Sequence, residues 1–105
     1  MLVLYYIKSK LLITKMSLMI TEIKGTFFLN GKINSITSEF LKNHLESLIN
    51  LKKDLTINIE AVQEIDPYGV LVLKDLYIKT IKQNKRLWII GYGSKELYLE
   101  FKFSS

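Results

Sequence analysis

The sequence predicts a small α/β domain: a mixed sheet opening with an N-terminal hairpin and carrying three helices, in the order β-β-α-β-α-β-α. Three observations predict it. Leu55, Ile57 and Ile59 alternate with Thr56 and Asn58, the period of a strand with one buried face. Ile36, Phe40, Leu41, Leu45, Leu48 and Ile49 recur at the spacing of a helix. Asp66-Pro67-Tyr68-Gly69 then turns the strand into a second helix. Asp66 is a good N-cap, able to accept the free amide of Gly69. Pro67 suits the first helical position, where its missing N–H is no loss.

The elements follow in order. Residues 1–15 are apolar and aromatic, but Lys8 and Lys10 interrupt them too early for a bilayer span. They also lack the basic start and small-residue cleavage site of a secretion signal. We read residues 1–15 as an N-terminal arm or upstream extension, dispensable for stability, and residues 16–105 as one domain, with Met16 and Met19 as later starts. The competing reading is an added strand, with Val3, Tyr5, Ile7, Leu11 and Ile13 on one face. Met19 to Ile23 and Thr26 to Leu29 are β-prone runs joined by Lys24-Gly25, a hairpin. Asn30-Gly31 reads as a turn, and Asn34 or Ser35 caps a first helix ending near Asn50. The strand at Leu55–Ile59 leads through a short polar connection to the second helix, Pro67 to Gln83, with Leu73, Leu76, Tyr77, Thr80 and Ile81 inward. The run Val70 to Leu73 is apolar all round, implying burial against more than the sheet. Asn84-Lys85 ends the helix, and Arg86 to Ile90 is a strand suited to a sheet covered on both faces. Gly91-Tyr92-Gly93 turns the chain, and Ser94 caps a third helix with Leu97, Tyr98 and Phe101 on its apolar side. Strands joined through helices run parallel, the initial hairpin antiparallel. The predicted core includes Leu45, Ile57, Ile59, Val70, Leu73 and Ile89.

Composition narrows the function. With 105 residues, 49% apolar, the chain holds one modest core. Without cysteine there is no disulfide, thiolate metal site or cysteine nucleophile, and a lone His44 excludes a multi-histidine metal cluster. Of the net charge of +5, Lys8, Lys10 and Lys15 supply three, from a segment without acids. Lys52-Lys53 and the run from Lys82 to Arg86 lie beside helix ends, where lysines meet the dipole favourably. Neither forms a basic stripe interleaved with aromatics, so no nucleic-acid partner is expected.

Candidate chemistries are weighed against structural roles. His44, near the apolar stripe of the first helix and without a second histidine in the chain, reads as a packed or half-exposed structural histidine. Glu60, Glu64 and Asp66 read as solvated acids and a cap rather than a catalytic set. Gly91-x-Gly93 lacks the other glycines and the lysine of a phosphate loop. No catalytic residue, metal or cofactor is expected. Tyr68, at the start of a helix beside an expected crevice, suits interface anchoring as well as it suits packing.

The stretch around Asp66 resembles a STAS domain, the module of bacterial anti-sigma-factor antagonists. Those proteins have an apolar strand with Asn or Asp, a short link, and Asp-Ser-Ser-Gly opening a helix. Asn58, Val62, Ile65, Asp66 and Gly69 stand in those positions without a gap. Leu29 to Asn34 resembles the family's step before its first helix, and Leu87 to Gly91 its later strand, so that the likeness runs from about Met19 to Phe101. The two serines are replaced by Pro67 and Tyr68, the second being the phosphorylated position in regulated members. The family usually continues with one more strand and helix; here that unit is missing or the N-terminal arm takes its place. The resemblance implies a non-catalytic, cytoplasmic binding module, a monomer or weak homodimer without membrane insertion. Its implied partner is a protein, an anti-sigma kinase in the family's regulated members. Asp66, Pro67, Tyr68, Gly69, Asn30, Gly31 and Ser94 are the expected contacts, and no phosphorylation is expected. Alternatives are a STAS-type subunit of a transporter or signalling assembly, and a nucleotide- or anion-binding protein using the second helix's N-terminus.

Overall fold

A computed structural model describes residues 2–7, 10–15, 17–52 and 54–103. Its strands are β1 (Leu2–Ile7), β2 (Lys10–Lys15), β3 (Leu18–Ile23), β4 (Thr26–Ile33), β5 (Asp54–Ile65) and β6 (Arg86–Ile90). Its helices are α1 (Ser38–Leu51), α2 (Pro67–Lys82) and α3 (Ser94–Phe103). The strands lie in one sheet in chain order, β1 to β6. Pairing is antiparallel from β1 through β4 and parallel for β4–β5 and β5–β6. The expected mixed sheet of β3 to β6 with three helices is therefore present.

The N-terminal segment adds two strands to it. β2 pairs with β3, so the added hairpin joins at the edge away from β6. Its register sets Leu11 opposite Tyr6 and Ile13 opposite Leu4, out of phase with Val3, Tyr5 and Ile7. Lys24 and Gly25, both at positive φ, make the tight turn between β3 and β4.

Alternation decides the layers. Leu18 and Ile20, Phe27 and Leu29, Leu55, Ile57 and Ile59, Leu87 and Ile89 all point to one face and are buried. They meet Leu41, Leu45 and Ile49 of α1, Leu73 and Leu76 of α2, and Leu97 and Phe101 of α3. No helix among the described residues covers the other face: Trp88 is 48% and Ile90 43% exposed. This corrects the expectation that β6 is covered on both sides. An apolar run marks a doubly covered strand only if crossovers reach both faces, and here they return to one.

Further corrections concern α1, α2 and the strand ends. β4 continues through Asn30-Gly31 to Ile33, because β3 pairs with both residues on one side and β5 on the other. Gly31 adopts φ +121°, and a Cβ there would lie 1.9 Å from the Ser17 carbonyl oxygen. β5 likewise extends to Ile65, so the polar connection is strand rather than loop. The cap of α1 is Thr37, not Asn34 or Ser35. Asn34 instead accepts the amides of Ile36 and Thr37 at 2.9 and 3.1 Å, an Asx turn. On α2, Leu71 and Ile81 face solvent, and Val70 is only partly buried. The rest of the predicted core is buried. Asn84, at φ +59°, ends α2, with the Lys85 amide donating to the Thr80 carbonyl.

Candidate functional site

The parallel pair β4–β5 ends at Ile33 opposite Ile65. Both chains then leave toward the helical layer, so the turn before α1 and the first turn of α2 are neighbours. Asp66 ties them together. Its amide donates to the Ile33 carbonyl at 3.0 Å. One carboxylate oxygen accepts the Gly69 amide at 2.9 Å, the expected cap, and the other accepts the Ser35 amide at 3.3 Å. Thr37, fully buried, fixes the same turn by donating its hydroxyl to the Lys32 carbonyl at 2.8 Å and accepting the Asn34 amide.

Gly69 is the contact between α2 and the strand ends. A Cβ there would lie 2.7 Å from both the carbonyl oxygen and Cγ2 of Ile33 and 2.9 Å from Cγ2 of Ile65. Only hydrogen fits without movement. The close approach drives the next side chains outward: Tyr68 is 62% exposed, Leu71 55%, and Ile36 on the adjoining turn 60%. Three large apolar side chains are thus presented around a rigid, hydrogen-bonded corner. Beside them, Ile65, Pro67, Val70, Leu71, Lys74 and Glu100 line a cleft of about 400 Å³.

The other expected contacts lie elsewhere. Asn30 is exposed within β4 and Gly31 is buried in it. Ser94 is the first residue of α3, not a cap outside it, and its amide donates to the Gly91 carbonyl. That turn belongs to the end of β6, which pairs only as far as Asn58 while β5 runs on to Ile65. There the Asn58 side chain accepts the Glu60 amide at 2.8 Å, and Glu60 accepts the Tyr92 amide at 3.0 Å. Glu60 therefore does not join Asp66 in a carboxylate cluster. His44 lies between Phe40, stacked at 6.4 Å, and Phe27, edge-on at 6.3 Å. Its Nε2 is buried without a hydrogen-bond partner. Burial pushes its pKa below the usual imidazole value, opposed by the charge of Glu22.

A family model described as the STAS domain matches residues 17–95. The chain belongs to the STAS domain family. Among solved structures, an anti-sigma factor antagonist from Mycobacterium paratuberculosis is similar with a TM-score of 0.58 at 18% identity, over 83% of this chain and 81% of that one. A chain described as Mglu is similar with a TM-score of 0.54 at 17% identity, over 67% of this chain but 18% of its own length. These likenesses establish the STAS-like fold. No curated protein sequence matches. The STAS match takes in β3 through the start of α3 and leaves the β1–β2 hairpin outside it. No helix among the described residues is long and apolar enough to cross a membrane.

Sequence reasoning placed Asp66, Pro67, Tyr68 and Gly69 at this corner but missed Ile36 and Leu71. Helical spacing assigns Ile36 to the first helix's apolar stripe, whereas α1 begins only at Ser38. The signal against that was Asn34 followed three residues later by Thr37, an Asx turn that holds Ile36 outside the helix.

Proposed function

We propose that this STAS domain is a non-catalytic binding module whose Asp66–Gly69 corner engages a protein partner, in the manner of an anti-sigma-factor antagonist that lacks the serine switch. The observation that carries the proposal is the exposure of Ile36, Tyr68 and Leu71 around a corner locked by Asp66. Exposed aromatics on a rigid turn make low-entropy anchors. A phosphate-regulated member needs a short hydroxyl at the second position of Asp-x-x-Gly. Tyr68 carries its hydroxyl at the end of an aromatic ring, out of reach for a kinase site shaped around serine. The partner contact is therefore constitutive.

An anion-binding role for the start of α2 is the weaker reading. The Asp66 carboxylate already occupies the Gly69 amide, and its negative charge repels an incoming anion.

The test is a binding titration against the partner recovered by affinity capture, with a thermal melt of each variant. Tyr68→Ala weakens binding by about 1–3 kcal/mol, the range for losing an aromatic anchor, and leaves the melt unchanged. The wild-type chain takes up no phosphate from an anti-sigma kinase of the family. Unchanged affinity for both Tyr68→Ala and Leu71→Lys removes the corner from the interface.

A further inference from the structure

We infer that the outer edge of β6 is a docking site for an extended, acidic segment of a partner protein, which joins the sheet as a further strand. β6 pairs with Asp54 to Asn58 at the start of β5, whereas the Asp66 corner follows the last residue of β5, Ile65. The site is therefore separate from that corner and independent of the function proposed for it. Among the described residues no strand lies on the outer side of β6. Along a strand, successive amides point to opposite sides in the plane of the sheet. The Ile89 amide points away from β5, because it donates to the Tyr98 hydroxyl at 2.7 Å. The Leu87 amide, two residues earlier, points the same way, and no side chain among the described residues accepts it. An incoming backbone thus meets one open donor and one that a tyrosine can release.

A hollow of about 340 Å³ runs along this edge, walled by Tyr77, Thr80 and Ile81 of α2, Tyr98 of α3 and the run from Lys85 to Ile89. β6 contributes side chains from both its faces: Leu87 and Ile89 are buried toward the helices, while Arg86 and Trp88 are exposed on the other side. The hollow straddles the strand edge, as the place of a further strand must. Side chains of such a strand alternate, one set lying against α2 and the other beside Arg86 and Trp88. The wall on α2 is apolar, since the Thr80 hydroxyl already donates to the Tyr77 carbonyl. The other wall is cationic, with the Arg86 guanidinium 5.9 Å from the Trp88 ring centre.

Charge selects the occupant. Lys82, Lys85 and Arg86 stand together where the edge begins, and none has a carboxylate partner among the described residues. Lys85 donates to the Ile49 carbonyl, which leaves its charge uncompensated. Asp54, opposite Arg86 on β5, offsets one of the three charges without an ion pair to it. A second copy of the same edge would bring like charges together, which is how positive side chains protect edge strands from self-pairing. The same charges attract a strand that carries acids. The fitting segment alternates apolar side chains, toward α2, with acidic ones, toward Arg86.

The probe is a blocked octapeptide alternating valine and glutamate, titrated into the isotope-labelled full chain up to about 1 mM, the range of weak Kd values. The amide resonances of Leu87 and Ile89 are expected to shift, and hydrogen exchange at Leu87 to slow. Arg86→Glu weakens binding about tenfold, since an exposed attraction becomes a repulsion of similar size. Tyr98→Phe removes the competing acceptor from Ile89 and tightens binding about 2–10-fold, the worth of one hydrogen bond. Thermal melts verify the fold of each variant. An octapeptide alternating valine and lysine does not bind, a comparison that needs no variant. Equal binding of the two peptides overturns the acidic partner. Binding that leaves Leu87 exchange unchanged, or that neither variant alters, overturns strand addition. No binding of the acidic peptide overturns the whole proposal. So does a slowing of Leu87 exchange on raising the protein concentration alone, which places a second copy on the edge.

Discussion

Asp66 performs two structural tasks with one carboxylate, capping α2 through Gly69 and tethering the turn before α1 through Ser35. Asp66→Ala loses both and is expected to cost about 1–2 kcal/mol in a denaturant titration. Gly69→Ala forces a methyl group against Ile33 and Ile65. Overpacking of this kind costs about 1–3 kcal/mol, read in the same titration. His44 supplies a pH dependence. Its folded pKa is lowered, chiefly by burial, so folding favours the neutral ring. The unfolded chain then binds the proton more readily. Stability from this group is full above the unfolded value of 6.5 and is lost as pH falls through the folded pKa. Thermal melts from neutral pH downward are expected to show this decline, and His44→Leu flattens it in the imidazole range.

At the scale of elements, the apolar pattern was a good guide to which helices and strands exist and a poor guide to where they end. Leu41, Leu45 and Ile49 of α1 are fully buried, as their spacing required. Leu45→Ala is expected to destabilise by about 2–5 kcal/mol. β5, however, continues through Glu60 to Ile65, a stretch whose composition reads as loop. Backbone pairing with Asn30 to Ile33 keeps it extended, and no local propensity announces that. The N-terminal hairpin poses the same question at larger scale. The STAS match begins at residue 17 and leaves β1 and β2 outside it. A chain starting at Met16 is accordingly expected to melt at nearly the same temperature as the full one. A loss of several kcal/mol, a large share of a domain's stability, would instead make β1 and β2 integral.

In the molecule as a whole, β4 and β5 are the central strands of the helix-covered sheet, each paired on both sides. Amide exchange followed by NMR is expected to be slowest at Phe27, Leu29, Ile57 and Ile59 and faster in β6, whose outer edge has no strand. The sequence by itself determined the order β-β-α-β-α-β-α from β3 to α3, the hairpin turn at Lys24-Gly25 and the capped strand-to-helix corner at Asp66. Each of these follows from residues close together in the chain: an alternation, a helical period, a cap with its proline. Only the tertiary structure decided that all three helices lie on one face and that Trp88 and Ile90 are left uncovered on the other. It also decided that Ile36 joins Tyr68 and Leu71 at the corner, and that Asn30-Gly31 is strand. Those outcomes depend on the face to which each crossover returns and on which backbones pair. Contacts between residues distant in sequence set both, and periodicity does not encode them.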